Sequence, residues 1–180
     1  MGTILSEDVE SSSKVRSFRI NSDLDEQFTS IIEKEGYTTS GFLNQMVKVY
    51  VDYMRYAKDI GVIIISKTSI KVLLKYLTEE ECKENGLALG SNIPIQMLLL
   101  SGMPRSIKSL DVAMDNLGNN SGWFTSTFHR QGKDGYWYIQ NTLGTKWRYF
   151  IEGYLTGMVE ALGADVETEA IGDNLIVRIK

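Results

Sequence analysis

A short segment of alternating polar and apolar residues stands ahead of two amphipathic stretches near the start of the chain. Within RSFRIN, Phe18 and Ile20 fall on one side, because successive side chains of a strand point to opposite faces. Ser17 and Arg19 fall on the other side. A lone strand cannot pair its own backbone groups, and no partner strand is adjacent in sequence. The pattern therefore predicts a two-stranded antiparallel ribbon formed with a second copy of the chain.

Two helices are predicted after this strand. Asn21 or Ser22 can cap the first, and acidic residues follow in its first turn, where negative charge suits a helix N-terminus. Gly36 suits its end, and Thr38 or Thr39 can cap the second helix. The helices carry apolar stripes at helical spacing, formed by Leu24, Phe28, Ile31 and Ile32 and then by Phe42, Leu43, Met46, Val47, Tyr50, Tyr53 and Met54. No breaker interrupts the second helix before Gly61.

The order strand, helix, Gly-Tyr turn, helix in KVRSFRINSDLDEQFTSIIEKEGYTTSGFLNQMVKVY resembles the ribbon-helix-helix family of DNA-binding dimers. This resemblance implies a homodimer whose ribbon enters the major groove of double-stranded DNA. It implies that Ser17, Arg19 and Val15 face the bases, and arginine reads guanine through a bidentate contact. Helix N-termini bind anions. The implied phosphate contacts are Lys14, Arg16 and the start of the second helix at Thr39, Ser40 and Gly41.

Charge leaves a second interpretation open. Residues 14–60 hold seven Lys or Arg and seven Asp or Glu, and the whole chain has a formal net charge of −4. A neutral module has little long-range attraction for DNA. The alternative is therefore a dimeric interaction protein, antitoxin-like or a scaffold subunit, in which this module only dimerises.

Composition favours a cytoplasmic globular protein with two parts. The 180 residues include 43% hydrophobic residues, which supports a core. No apolar run is long enough to cross a bilayer, and no signal segment is recognisable. Cys82 is the only cysteine, which suits a reducing compartment. We expect a flexible acidic, Ser-rich arm over residues 1–13, the strand–helix–helix module over 14–60 and a second domain over 61–180.

The second domain is predicted to be α+β with an antiparallel sheet. The run GVIIIS at 61–66 predicts a buried strand, followed by a helix over 67–85 that Gly86 ends. Helices are also predicted over 92–100, from Pro104 onward and over 145–162, and GNNSG at 118–122 predicts a loop. Two hairpins are predicted, one over 123–141 and one at the C-terminus. Gly153 and Gly157 predict tight packing of the 145–162 helix on the sheet.

The ending YWYIQNTLGTKWRYFIEGYLTGMVEALGADVETEAIGDNLIVRI resembles the 4-vinyl-reductase-like, heme-nitric-oxide-binding-associated superfamily. The shared features are a hairpin, a helix with a G-Y-x-x-G-like stretch and a terminal strand pair. This resemblance implies a small-molecule sensor or dimerisation domain attached to a regulator. The cysteines that many relatives carry near the terminal hairpin are absent here, which argues against a metal role.

Catalytic and metal-binding signatures are missing from the sequence. One His and one Cys cannot build a four-ligand zinc site, and neither a phosphate-binding glycine loop nor a serine nucleophile elbow occurs. We therefore expect no enzyme activity, no metal and no cofactor. An aromatic pocket for an effector is one interpretation of the central hairpin, and a surface or core face is the other. The candidate pocket residues are Trp123, His129, Tyr138 and Trp147.

These observations predict a homodimeric transcriptional regulator. Its N-terminal ribbon would bind double-stranded DNA, and its C-terminal domain would sense a small molecule or build oligomers. The interaction protein described above is the alternative, and an enzyme acting through the C-terminal domain is a third, weaker hypothesis.

Overall fold

A computed structural model of the protein describes residues 14–180, so the arm predicted over residues 1–13 lies outside the described residues. The chain divides into two compact units, the first ending at Asn44 and the second comprising Gln45–Lys180. The domain boundary predicted after residue 60 stays a prediction. The architecture is α+β with an antiparallel sheet, as predicted.

The first unit is built around two helices. Helix α1 (Ser22–Glu35) ends at Gly36, whose φ of 73° suits the left-handed cap. Helix α2 (Thr39–Val49) begins in this unit, and its first turn is capped by Thr38, whose side chain accepts a hydrogen bond from the Gly41 N–H at 3.1 Å. The Phe42 ring packs edge-on against Phe28 with 5.5 Å between ring centroids. The predicted first helix and turn are confirmed.

The predicted strand before α1 is not formed in this single chain. Residues 14–21 have no regular secondary structure, so α1 is the first regular element of the described residues. A strand exists only when its backbone pairs with a neighbour, and the predicted neighbour is a second chain. The ribbon therefore remains a prediction.

The second unit begins inside a long helical run, as predicted. From α2 the chain passes through a π-helical turn (Tyr50–Met54) into α3 (Arg55–Asp59), and Gly61 follows with a φ of 73°. The later helices are α4 (Lys67–Leu74), α5 (Glu79–Gly90), α6 (Ile93–Ser101), α7 (Ile107–Ser121) and α8 (Thr145–Glu160). Pro94 lies in the first turn of α6, where its missing N–H costs nothing.

Four strands form one antiparallel sheet in the order β1-β2-β4-β3. The strands are β1 (Phe124–Gln131), β2 (Asp134–Asn141), β3 (Val166–Ile171) and β4 (Asn174–Ile179). Both predicted hairpins are confirmed. Trp137, Ile139 and Val177 point from one face into the main core, which α8 completes with Ile151, Leu155 and Val159. The opposite face carries Tyr138, which is exposed.

Helices α5 and α8 pack on each other at their glycines. A Cβ atom built on Gly153 would lie 2.0 Å from the Lys83 carbonyl oxygen, and one on Gly86 would lie 2.1 Å from that of Phe150. Gly86 is therefore a contact residue inside α5 and does not end a helix. Gly153 and Gly157 face α5, so the predicted packing on the sheet is corrected to packing on a helix.

Three further predictions are wrong. Residues 62–66 form no strand and are exposed. The helix predicted over 67–85 is two helices, because Thr78 and Glu81 form a capping box that starts α5 anew. The loop predicted at 118–122 is the last turn of α7, which ends at Gly122 in the left-handed conformation.

Candidate nucleic-acid interface

The segment from Lys14 to Ile20 is exposed along its whole length. Val15, Ser17 and Arg19, the predicted base-facing residues, are all accessible. So are Phe18 and Ile20, with 64% and 41% of their surfaces exposed. These large apolar side chains therefore have no cover in the single chain.

Positive charge is concentrated on this segment. Residues 14–21 contain Lys14, Arg16 and Arg19 and no acidic residue, whereas α1 contains five acidic residues and only Lys34 as a cation. Within the described residues, neither Arg16 nor Arg19 donates a hydrogen bond or forms an ion pair. The neutral total over residues 14–60 therefore conceals a basic segment followed by an acidic helix. A count in shorter windows would have found it.

The start of α2 offers two of the three predicted phosphate contacts. The Gly41 N–H already donates to Thr38 Oγ1, so it is engaged by the cap. Thr39 and Ser40 precede it in the same exposed first turn, where unpaired backbone N–H groups favour anions. A Cβ on Gly41 would lie 2.9 Å from the capping oxygen, so the missing side chain also makes room for the cap.

The four residues predicted to line an aromatic pocket separate into two pairs. Trp123 precedes β1 and packs edge-on against Trp147, with 5.3 Å between ring centroids, and the Trp147 Nε1–H donates to the Trp123 carbonyl. His129 and Tyr138 meet at 5.6 Å on the exposed face of the sheet. The structure therefore places the tryptophans in core packing and does not bring the four residues into one pocket.

Two cavities of the second unit have other linings. A void of about 10 Å³ lies among apolar residues that include Met97, Met114 and Tyr154, and it has room for no more than one water. A shallow depression of about 490 Å³ on the sheet is bordered by Tyr136, Glu167 and Arg178 among others. The one cation of this lining, Arg178, is already paired with Glu167 and Asp134.

A buried charged cluster in the second unit was not predicted. Glu152 accepts hydrogen bonds from Lys83 Nζ at 2.8 Å and from Thr168 Oγ1 at 3.0 Å. The Arg148 guanidinium lies 3.7 Å from the same carboxylate and over the Tyr149 ring. The cluster joins α5, α8 and β3. The i,i+4 spacing of Arg148 and Glu152 in the sequence indicates an ion pair on a helix, but the sequence does not show that the pair is buried.

The described residues show no arrangement for metal or thiol chemistry. Within 14–180, no group of three or more His, Cys, Asp and Glu side chains could hold a metal ion. Cys82 is fully buried, and burial raises the pKa of its thiol, which disfavours the reactive thiolate. In the same part of the chain, each helix is too short or too polar to cross a bilayer.

Comparison with protein-family models and with curated proteins finds no match to this chain. The case for a function therefore rests on the residues and their geometry.

Proposed function

We propose that the protein is a homodimeric, cytoplasmic DNA-binding regulator that reads the major groove with a ribbon made from residues 14–21 of two chains. One observation carries this proposal: Phe18 and Ile20 are uncovered, and the alternation of a strand would place them on one side and Arg19 on the other. Pairing two such segments would bury Phe18 and Ile20 against the helices and expose Arg19 of both chains.

The proposed roles follow from the chemistry of each group. Arg19 offers two parallel N–H donors that match the O6 and N7 acceptors of guanine, and Ser17 and Val15 share its face. Lys14 and Arg16 would contact phosphates, together with the N–H groups of Thr39 and Ser40. The acidic residues of α1 would face away from the DNA, since their charge opposes phosphate binding.

The second unit would sense a small molecule or build higher oligomers. Its Trp147 is buried and packs against the partly buried Trp123, so a direct effector site between them is not supported. The exposed pair His129 and Tyr138 remains available for contacts.

A DNA-selection experiment with the purified full chain tests the proposal. The parent protein should enrich one sequence or a pair of half-sites from a random pool. Arg19→Ala should then weaken binding to that sequence by about 1–3 kcal/mol for each guanine contact, and the contact occurs twice in a dimer. Lys34→Ala is the matched control, because it removes the same charge from the last turn of α1. Equal affinity of Arg19→Ala and the parent would show that the ribbon is not the reading element.

The second candidate is a dimeric interaction protein, favoured by the balanced charge of residues 14–60. It predicts a stable dimer that enriches no DNA sequence in the same selection, even at low salt, where phosphate contacts are strongest.

A further inference from the structure

The segment Val62–Ile65 is the most apolar exposed stretch of the second unit. Ile63 is 78% exposed and Ile64 is 96% exposed, and Val62 and Ile65 are also largely accessible. Four consecutive β-branched residues have high strand preference. Leaving them in water forgoes the hydrophobic stabilisation that a buried position would provide.

The backbone of this segment is also unpaired. The Val62 N–H donates to the Ala57 carbonyl, but within residues 14–180 no backbone hydrogen bond outside the helices and strands involves Ile63, Ile64 or Ile65. The segment has no regular structure, and no non-glycine residue of the described chain has a positive φ. Its N–H and C=O groups are therefore open to a neighbouring strand.

Both ends of the segment are fixed by local structure. Gly61 ends α3 in the left-handed conformation and donates to the Lys58 carbonyl at 3.2 Å. Ser66 has extended backbone angles and caps α4 through its side-chain oxygen, which accepts from the Ser69 N–H. The exposed apolar residues thus lie in a short bridge between two helices, not in a free end.

We infer that residues 62–65 pair antiparallel with the same residues of a second copy of this chain. The segment carries no charge, so a two-fold axis through it brings no like charges together and sets β-branched side chains opposite one another. The edge strands of the sheet suit it less. Glu167 and Glu169 on β3 and Thr125 and Thr127 on β1 are polar, and covering polar groups with isoleucine is unfavourable.

This inference rests on the proposed dimer. A four-residue strand pair is far smaller than the roughly 1,200 Å² of a stable interface. Two chains already joined by their N-terminal ribbon meet at a raised effective concentration, so a short second contact suffices. Residues 62–65 would then add a second point of association between the same two chains.

Disulfide formation between introduced cysteines tests the pairing in the full-length protein. Antiparallel pairing of residues 62–65 with themselves sets Ile63 opposite Ile64 of the second copy, so Ile63→Cys and Ile64→Cys chains are mixed and allowed to exchange before oxidation. Tyr76→Cys is the matched control, because Tyr76 is 84% exposed and lies outside the segment. The native Cys82 is fully buried and stays in place. A disulfide requires Cα atoms within about 7 Å, so a paired segment should cross-link at least about tenfold faster than the control. Mass spectrometry assigns the linked positions.

Sedimentation of the parent chain at the same concentration separates the outcomes. A dimer in which 63–64 links form rapidly in the mixture supports the inference. A dimer whose segment cysteines link no faster than Tyr76→Cys overturns the inference and leaves the proposed ribbon dimer standing. A monomer overturns both.

Discussion

Four glycines set the distance between α5 and α8. Gly86 and Gly90 on one helix and Gly153 and Gly157 on the other each approach a backbone carbonyl of the facing helix so closely that a Cβ would lie within 2.5 Å of its oxygen. Real side chains do not reach such distances, so each glycine is required by packing and not by a turn. Glycine inside a helix costs about 1 kcal/mol relative to alanine, and the close approach offsets this cost.

Gly153→Ala should therefore destabilise the protein despite its better helix propensity. The added methyl group meets the Lys83 carbonyl oxygen at 2.0 Å, and relieving this contact requires the helices to move apart. Overpacking of this kind costs about 1–3 kcal/mol and occasionally more. Urea unfolding measures the free energy of unfolding. Asn85→Ala is the control, because Asn85 is exposed on the facing helix α5. A variant Gly153→Ala as stable as Asn85→Ala would contradict the packing.

Tyr154 makes a pH-dependent contribution to stability. Burial raises the pKa of its phenol well above the ordinary value of 10.0, and the nearby charge of ionised Tyr53 raises it further. Above about pH 10 the unfolded chain loses this proton while the folded chain keeps it, so the unfolded state binds fewer protons and stability falls as pH rises. Below about pH 10 both states hold the proton, and the dependence vanishes.

Tyr154→Phe should make the free energy of unfolding fall less steeply between about pH 9 and pH 11. The measurement is urea unfolding over that range, compared with the parent and with Tyr76→Phe, a substitution at a mostly exposed tyrosine. A parallel decline in all three proteins would show that Tyr154 ionises as readily in the folded state as in the unfolded chain.

At the scale of elements, sequence patterns predicted those helices and hairpins that local interactions determine. Helices α1, α6 and α8 and both hairpins follow from apolar spacing, caps and turn residues, and the structure contains them close to the predicted bounds. The break between α4 and α5 was also readable, because Thr78 and Glu81 have the capping-box spacing. The error there was to treat one apolar stripe as one helix.

Other elements depend on contacts that a pattern does not encode. Gly86 stops no helix because α8 packs against it, and Gly118 lies within α7, where a Cβ would come 3.0 Å from the Phe124 carbonyl oxygen. The run at 62–65 reads as a buried strand, yet composition cannot distinguish cover by the same chain from cover by another. The two glycines show tertiary contacts acting on a locally ambiguous sequence. Cover of residues 62–65 by another chain is the pairing proposed above.

The candidate site residues were also only partly predictable from the sequence pattern. Alternation in residues 16–20 predicted which side chains share a face of the ribbon, and that assignment still awaits a partner chain. The four residues predicted to line an aromatic pocket do not come together, and one reason is that β1 begins at Phe124. Trp123 therefore lies outside the strand alternation and packs with Trp147 instead of sharing a face with His129.

At the scale of the whole molecule, the distribution of exposed apolar residues argues for association. Large apolar side chains remain uncovered in both units, at Phe18 and Leu24 in the first and at Val47 and Ile64 in the second. A monomer that leaves large apolar side chains in contact with water loses the hydrophobic stabilisation of burying them. A two-fold dimer would cover each such residue in both chains. The proposed ribbon and the proposed strand pair would act at different points of the same two chains.

Substitutions at two nearby positions, Phe18 and Val15, should distinguish a dimer from a monomer. Phe18→Asp places a charge on the side of the ribbon proposed to face the helices, where burial of an unpaired carboxylate is strongly unfavourable. Val15→Asp places the same charge on the outward side. In the single chain both positions are exposed, at 64% and 92%, so neither substitution should affect the folding of a monomer.

Sedimentation equilibrium of the full-length proteins at micromolar concentration gives the answer. The parent and Val15→Asp should be dimers or multiples of dimers, and Val15→Asp should weaken DNA binding because it adds negative charge beside the base-facing residues. Phe18→Asp should raise the dissociation constant of the dimer at least about tenfold, since one buried carboxylate per chain costs more than about 1.4 kcal/mol. The ribbon would be refuted by a parent protein that sediments as a folded monomer. It would also be refuted if Phe18→Asp and Val15→Asp associated equally tightly, because only a ribbon with one buried and one outward side distinguishes these positions.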